Sequence, residues 1–310
     1  MRKARPAELV LGSVQLGLAY GAANRTGKPT REAALALARR AADGGIGTFD
    51  TARCYGDSEE RLGEAFAGRK AIRAITKLSP LPELPPNASV EQVCAAVDAS
   101  IAQSLLALQR KHLDCLLLHR AAHMTAFGGA IWKRVVEHWR AGTVKALGVS
   151  VQTPDEVFSA LKHREVHHIQ LPFNLFDWRW KEKGVVARLK ARSDVTVHAR
   201  SVFLQGILVA RDASVWPTIE GVDADELVTL IGKLAREFGR ESPADLCLAY
   251  VRSQDWIDGV VIGMETEAQL DANLRLSVKQ PLPMEDRAWL ETMLPRVPEQ
   301  LLDPARWAAG

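Results

Sequence analysis

Short apolar segments alternate with longer segments of mixed polarity along the whole chain. Eight of the short segments are nearly continuously apolar or rich in β-branched residues, and turn residues bound each of them. Such segments are typical of parallel strands that are buried on both faces. The predicted strands are residues 8–13, 47–51, 71–78, 113–120, 144–151, 167–173, 194–202 and 259–264.

The segments between these strands have helical periodicity and recognisable ends. Residues 30–45 form an amphipathic pattern that Gly44 and Gly45 close. The stretches that begin at Asp57 and Thr153 both read as capping boxes, the second with proline at the first helical position. Eight strands joined by crossover helices predict the α/β class and a (β/α)8 TIM barrel.

The chain shows no linker that would divide it, so residues 1–310 are predicted to form a single domain. A doubly wound sheet is the structural alternative. It requires a G-x-G-x-x-G turn after the first strand, and the sequence GSVQLGLAYG at 12–21 does not provide one. The stretch 204–223 exceeds ordinary connector length and predicts a mobile flap on the catalytic face of the barrel.

Composition and charge exclude several classes of function. Lys and Arg number 40 and Asp and Glu 37, a formal charge of +3 without a long basic block, so nucleic acid is not expected as a partner. The four cysteines are widely spaced without a C-x-x-C pair, which indicates free thiols in a reducing compartment. No signal peptide and no membrane-spanning stretch of about 18 apolar residues is recognisable. We therefore expect a cytoplasmic protein.

Four chemically distinct side chains follow three neighbouring predicted strands. Each of them alone is more simply explained as a cap, a rim aromatic or a core group, but together they fit proton donation by a tyrosine. A lysine ammonium about 4 Å from a phenol favours the phenolate by roughly 4 kcal/mol at an effective dielectric near 20. That equals up to about 3 pKa units before desolvation opposes it. The four residues are Asp50, Tyr55, Lys77 and His119.

The motifs FDTA, YG, TKL and LLLHR make the chain resemble the aldo/keto reductase family over nearly its whole length. The family's catalytic Asp, Tyr, Lys and His fall on Asp50, Tyr55, Lys77 and His119. The resemblance implies a barrel that reduces an aldehyde or ketone, with hydride from a nicotinamide cofactor and the proton from Tyr55. The expected partner is a small-molecule carbonyl substrate, and no metal is implied.

The resemblance also implies a cofactor cradle at the strand ends. Ser150 and Gln170 would bind the nicotinamide carboxamide, and Val151 stands where the family usually has asparagine. Arg200 takes a position where many relatives stack an aromatic ring on the nicotinamide. The implied cofactor-binding residues are Gly12, Ser13, Asp50, Ser150, Gln170, Arg200, Ser201, Leu204, Gln205, Gly206, Gly263, Met264, Glu265, Gln269 and Asn273.

The choice between NADPH and NADH depends on the turn after the last strand. A capping box begins at Thr266, and its free N–H groups suit an anion. Relatives that prefer NADP usually place lysine and arginine here, whereas this chain has Glu265, which would repel a phosphate and accept from ribose hydroxyls. Family habit places NADPH first, with NADH as the alternative.

Aromatic side chains on the predicted rim loops are candidates for substrate binding. They suit apolar aldehydes and the faces of sugars alike. The first loop resembles a bacterial branch associated with sugar genes, which ranks sugar-like carbonyls among the possible substrates. The candidate residues are Tyr20, Tyr55, His119, Phe127, Trp178, Phe203 and Trp216.

Two other functions remain open, and the oligomeric state is not predicted. The first is a non-catalytic nicotinamide-binding regulatory barrel. The second is a hydrolytic barrel, which is disfavoured because the histidines lack H-x-H or H-E-x-x-H spacing and Lys77 would neutralise Asp50. Cys54, next to Tyr55, is interpreted as a small buried residue, with a redox-sensitive thiolate as the alternative.

Overall fold

Eight parallel strands close into a barrel in sequential order, β1 to β8. The computed structural model describes residues 6–69 and 71–307, so both ends of the predicted 1–310 domain lie outside the described residues. The closed barrel confirms the predicted (β/α)8 TIM fold. The strands are Glu8–Gly12, Thr48–Asp50, Arg73–Lys77, Cys115–Leu118, Leu147–Ser150, Val166–Pro172, Thr196–Arg200 and Gly259–Gly263.

Helices α1 to α12 connect and surround the strands. Within the described ranges, none of these helices is long and apolar enough to cross a membrane. Five short 3-10 turns lie at 121–124, 126–129, 204–209, 213–215 and 304–306. The α-helices are Val14–Gly17, Arg31–Asp43, Ser58–Ala65, Val90–Ala107, Ala130–Arg140, Pro154–Ala160, Arg179–Glu182, Val185–Ala191, Ala224–Glu237, Pro243–Arg252, Glu267–Ser277 and Met284–Met293.

The predicted helix starts are confirmed in two places and wrong in one. Thr153 and Thr266 both form complete capping boxes, at the starts of α6 and α11. Asp57 precedes α3 but makes no capping hydrogen bond. Its carboxylate instead lies 2.7 Å from Lys28 and 3.1 Å from Arg61, and these two cations hold it away from the helix N–H groups.

The segment after β7 is anchored to the barrel by several buried side chains, and its mobility stays a prediction. Its two 3-10 turns direct apolar side chains inward, and burial of such side chains stabilises their position by roughly 1.5–3 kcal/mol each. Trp216, a predicted substrate residue, is only 8% exposed and belongs to the core. The buried members of the segment are Leu204, Ile207, Leu208, Trp216 and Ile219.

Two histidines face each other inside the barrel. The rings of His168 on β6 and His198 on β7 are fully buried, with centroids 4.3 Å apart. Gly259 leaves room for them, because a Cβ there would lie 2.7 Å from the His198 ring. Burial lowers the pKa of His198 to about 3, and burial together with the neighbouring His198 lowers the pKa of His168 well below its ordinary value. Both rings are therefore neutral.

This histidine pair predicts a loss of stability in acid. The unfolded histidines bind protons below pH of about 6.5, and the folded ones do not, so the free energy of unfolding falls as pH decreases below that value. Each ring contributes up to about 1.4 kcal/mol per pH unit. The free energy of unfolding, measured with urea at several pH values between 7 and 5, should depend less steeply on pH in His168→Asn/His198→Asn than in the wild type.

The exposed His112 provides the control for this measurement, since its side chain is 46% exposed. His112→Asn should leave the pH slope of the wild type nearly unchanged. Equal slopes for the wild type and the double variant would show that the buried pair does titrate in the folded protein.

Candidate active site

A buried ion pair lies at the carboxyl ends of β2 and β3. The Nζ of Lys77 is 2.6 Å from Asp50 Oδ1 and 3.0 Å from the Thr51 carbonyl oxygen, and the Lys77 side chain is 1% exposed. Gln170 on β6 donates its amide Nε2 to the other Asp50 oxygen at 2.7 Å. Both carboxylate oxygens and the ammonium thus have fixed partners from three strands.

Tyr55 and His119 adjoin this ion pair. The Lys77 ammonium lies 5.0 Å from the centroid of the Tyr55 ring. The Tyr55 and His119 rings meet edge to face, with centroids 5.8 Å apart and an interplanar angle of 88°. The structure therefore brings together all four residues that the sequence predicted as catalytic.

The loop that carries Tyr55 is held by a second buried carboxylate. Glu59 on α3 is 1% exposed, forms an ion pair with Arg53 and accepts a hydrogen bond from Thr76 Oγ1 at 2.5 Å. The backbone N–H of Arg53 donates to the Lys77 carbonyl oxygen at 3.2 Å. These contacts fix the Tyr55 loop to β3. The sequence assigned Glu59 only to a capping box, and no pattern indicated its burial.

Burial is the largest single influence on the pKa of Tyr55, Lys77 and His119. It raises the pKa of Tyr55 above its ordinary value, and the opposing effect of Lys77 is smaller. The desolvation that opposes the effect of the lysine therefore outweighs it. Burial lowers the pKa of Lys77, but Asp50 and Tyr55 together raise it above its ordinary value. Burial, followed by the charges of Lys77 and Arg200, lowers the pKa of His119 to about 3.

Unpaired amide atoms lie on β6 and in the loop after β5. Ser150 and Gln170 are register partners, and Gln170 Oε1 is buried without a hydrogen bond from any described residue. Gln152 Nε2 is likewise buried and unbonded among the described residues, while Gln152 Oε1 accepts from Arg200 at 2.8 Å. A carboxamide has complementary donors and an acceptor. The residues present therefore fit a nicotinamide, and Gln152 is a candidate that the sequence analysis missed.

Residues 8–294 match the Aldo/keto reductase family. The chain belongs to this family. It is accordingly an NAD(P)H-dependent oxidoreductase that acts on carbonyl groups, and family membership implies a small-molecule carbonyl substrate.

Solved aldo-keto reductases share the fold of this family member. It is similar to AKR11C1 from Bacillus halodurans in its holo form, with TM-score 0.76, 23% identity and coverage of 96% of each chain. For the apo form of that protein the TM-score is 0.74 and the identity 22%, and the match covers 97% of this chain and 96% of that one. For PA4992, a putative aldo-keto reductase from Pseudomonas aeruginosa, the TM-score is 0.64 and the identity 19%. The match covers 89% of this chain and 91% of that one.

In this aldo/keto reductase, the side chains of several predicted cofactor residues make contacts within the protein. Ser13 is fully buried, donates to the Asp50 carbonyl oxygen at 2.9 Å and accepts from Ser58 Oγ at 2.7 Å. Met264 and Leu204 are fully buried in the core. Both side chains pack in the hydrophobic core, which leaves their backbone atoms for any contact with a cofactor.

Backbone conformation marks the segment after β7. The non-glycine residues Ser201, Leu204 and Gln205 have φ of 59°, 46° and 54°, and Gly206 has φ of 91°. Left-handed conformations of this kind cost about 1–2 kcal/mol per non-glycine residue and concentrate at functional sites. Gln205 Oε1 also accepts from the Ala22 N–H at 3.2 Å, which joins this segment to the loop after β1.

The start of α11 carries negative charge. Glu265 and Gln269 are locked together by two hydrogen bonds of 2.8 Å, one between side chains and one from the Glu265 N–H. The neighbouring cation Arg40 lies 2.6 Å from Glu267 and 2.8 Å from both oxygens of Asp271, so its charge is already paired.

The glycines at the ends of β1 and β8 allow neighbouring side chains of the protein to approach the backbone closely. A Cβ at Gly263 would lie 2.1 Å from Gln15 Oε1, and one at Gly12 would lie 3.1 Å from a methyl group of Val261. Asn273 on α11 is buried. Gln15 is a second amide near the predicted cradle that the sequence did not single out.

The predicted substrate aromatics differ in exposure. Tyr20 is 43% exposed, and its hydroxyl accepts from Gln205 at 3.4 Å. Trp178 is held by a bond from its Nε1 to the Val297 carbonyl oxygen at 3.1 Å and by Arg296, 3.7 Å above its ring. Phe127 and Phe203 are partly buried against the core. Tyr20 therefore remains the most accessible candidate.

The cysteines differ in one position from what the sequence predicts. Cys54 is exposed, contrary to the buried position expected from the sequence, and all four cysteines are free thiols. Among the described residues, no three histidine, cysteine or acidic side chains lie close enough together to hold a metal ion.

The buried ion pair predicts a large stability loss on removal of one partner. Asp50→Asn leaves the Lys77 ammonium buried without a counter-charge, and the free energy of unfolding should fall by about 3–5 kcal/mol. Asp50→Asn/Lys77→Met removes both charges and should recover a large part of this loss in urea unfolding. Asp43→Asn, at the exposed pair with Arg69, should cost less than about 1 kcal/mol. Equal losses at Asp50 and Asp43 would contradict the prediction.

Proposed function

We propose that Tyr55 donates the proton in carbonyl reduction and that His119 donates a hydrogen bond to the carbonyl oxygen. The observation that carries the proposal is the position of the Lys77 ammonium, 5.0 Å from the Tyr55 ring and fixed by Asp50. A cation at this distance stabilises the phenolate that proton transfer leaves behind.

The protonation states suit the direction of reduction. Tyr55 keeps its proton at neutral pH because burial raises its pKa. His119 stays neutral and has one N–H to donate. The carbonyl oxygen takes the Tyr55 proton and becomes a hydroxyl, and the phenolate then recovers a proton from solvent.

We further propose that the nicotinamide carboxamide is bound by Gln170 and Gln152, with Ser150 beside them. When bound, the cofactor supplies the hydride that the carbonyl carbon receives. Gln170 is oriented because its Nε2 is committed to Asp50, which leaves Oε1 as the acceptor. Arg200 orients Gln152 in the same way and leaves Nε2 as the donor.

We propose NADH as the preferred cofactor, although family habit places NADPH first, because of the charges around α11. The carboxylate of Glu265 lies at the turn that would hold the adenosine, and the nearby cation Arg40 is paired with Glu267 and Asp271. A phosphate on the ribose would meet repulsion there, whereas ribose hydroxyls can donate to a carboxylate.

The proposed substrate is an aldehyde or ketone, with sugar-like carbonyls included. The exposed Tyr20 ring near Gln205 offers one amphipathic wall for such a molecule. We propose a cytoplasmic location, because free thiols persist in reducing compartments.

Tyr55→Phe tests the proton donor. The kcat/KM for aldehyde reduction should fall by about 100-fold or more, since general acid catalysis contributes that much. Cofactor affinity, measured by quenching of tryptophan fluorescence, should stay within twofold. Tyr250→Phe removes a buried hydroxyl that bonds Glu291 away from the four catalytic candidates, and it should retain turnover. Full activity of Tyr55→Phe would overturn the assignment.

Glu265→Gln tests the cofactor preference. Loss of one negative charge should tighten NADPH binding by about fivefold to tenfold. NADH binding should weaken, because a neutral amide accepts from ribose hydroxyls less strongly than a carboxylate does. The wild type should bind NADH more tightly than NADPH. Glu285→Gln, the same change in the exposed first turn of α12, should alter neither affinity. Tighter binding of NADPH by the wild type would reject the NADH proposal.

A further inference from the structure

The thiol of Cys54 contacts the imidazole of His119. Its Sγ lies 3.4 Å from His119 Nδ1, within hydrogen-bond distance for sulfur. Cys54 immediately precedes Tyr55, and the Tyr55 and His119 rings also touch edge to face. One short segment thus supplies the proposed proton donor and a partner for the neighbouring histidine.

We propose that Cys54 is a positioning residue, whose S–H donates to Nδ1 of His119 and so fixes the neutral ring as the tautomer with its proton on Nε2. The inference rests on the proposed role of His119 as hydrogen-bond donor to the carbonyl oxygen. It assigns to Cys54 no direct contact with substrate.

The direction of this hydrogen bond follows from the two groups. An unprotonated imidazole nitrogen is a good acceptor, whereas thiol sulfur is a weak one, so S–H···N is favoured over N–H···S. A neutral imidazole has a single N–H, and a proton held on Nδ1 would leave a lone pair on Nε2. That lone pair would repel a carbonyl oxygen. The tautomer therefore decides whether His119 binds the substrate or opposes it.

The protonation states of both partners agree with this geometry. Burial, with added repulsion from Lys77 and other nearby cations, lowers the pKa of His119 to about 3, so the ring is neutral at physiological pH. Burial also raises the pKa of Cys54, although Lys77 opposes it and part of the residue remains exposed. Cys54 thus holds the S–H proton that the hydrogen bond requires, and a redox-sensitive thiolate is disfavoured.

The spectroscopic test reads the tautomer directly. Protein labelled with ¹⁵N-histidine is compared by long-range ¹H–¹⁵N correlation in the wild type, Cys54→Ala and Cys54→Ser, with His119→Ala to assign the signals. In the wild type, Nδ1 of His119 should give the shift of an unprotonated, hydrogen-bonded nitrogen and Nε2 that of an N–H. Cys54→Ala should give a mixture of tautomers. A protonated Nδ1 in the wild type would overturn the proposal.

The kinetic test uses reduction of 4-nitrobenzaldehyde and glyceraldehyde with saturating cofactor. Cys54→Ala should lose about threefold to tenfold in kcat/KM, the range of one hydrogen bond. Cys54→Ser retains an O–H donor and should stay within about twofold of the wild type, with cofactor affinity unchanged in both. Cys94→Ala, at a thiol on α4, is the matched control and should match the wild type.

His119→Ala separates failure of this inference from failure of the proposed function. Loss of turnover in His119→Ala, with wild-type kinetics and an unchanged histidine spectrum in Cys54→Ala, would reject the role of Cys54 alone. Wild-type turnover in His119→Ala would reject the proposed role of the histidine, and the inference would fall with it.

Discussion

The ion pair of Lys77 and Asp50 is the interaction on which the rest of this site depends. Removal of two charges from water costs several kcal/mol per ion, and this cost is offset only by good geometry and additional hydrogen bonds. Here the Thr51 carbonyl oxygen and the Gln170 amide supply those bonds. Asp50 and Lys77 lie on the adjacent strands β2 and β3, whereas Gln170 lies on β6. The complete set of bonds therefore forms only when β6 has taken its place in the barrel, so folding and the arrangement of the site are coupled.

The pair also sets the orientation of groups that do not belong to it. Asp50 accepts a hydrogen bond from Gln170 Nε2. This fixes the orientation of the amide, so that Gln170 Oε1 is the atom left to accept a hydrogen bond. Arg200 acts on Gln152 in the same way, and the buried Glu59 fixes the loop of Tyr55 through Arg53. Side chains in the site are thus held in place by neighbours before a ligand binds, which reduces the ordering that binding requires.

The strands and the four catalytic candidates could be predicted because both follow from local patterns. Buried parallel strands are continuous apolar runs, and the barrel gathers whatever follows them at one rim. The burial of Glu59, the exposure of Cys54 and the orientation of the Gln152 amide by Arg200 depend on contacts between distant segments, which no local pattern encodes. The pairing of Asp57 with Lys28 overrode its capping sequence for the same reason.

The pKa of Tyr55 depends on two opposing effects, the charge of Lys77 and desolvation, and their balance decides whether the phenol holds a proton that it can donate. Distance alone favours a lowered value, because an ammonium stands beside the ring. The structure adds desolvation, which penalises the phenolate more than Lys77 stabilises it. A phenol that keeps its proton is suited to donate one, and the ammonium then stabilises the anion only after transfer. The same burial keeps His119 neutral. In the proposed mechanism both donors to the carbonyl oxygen are therefore uncharged, and the nearest cation is the Lys77 ammonium beside the Tyr55 ring.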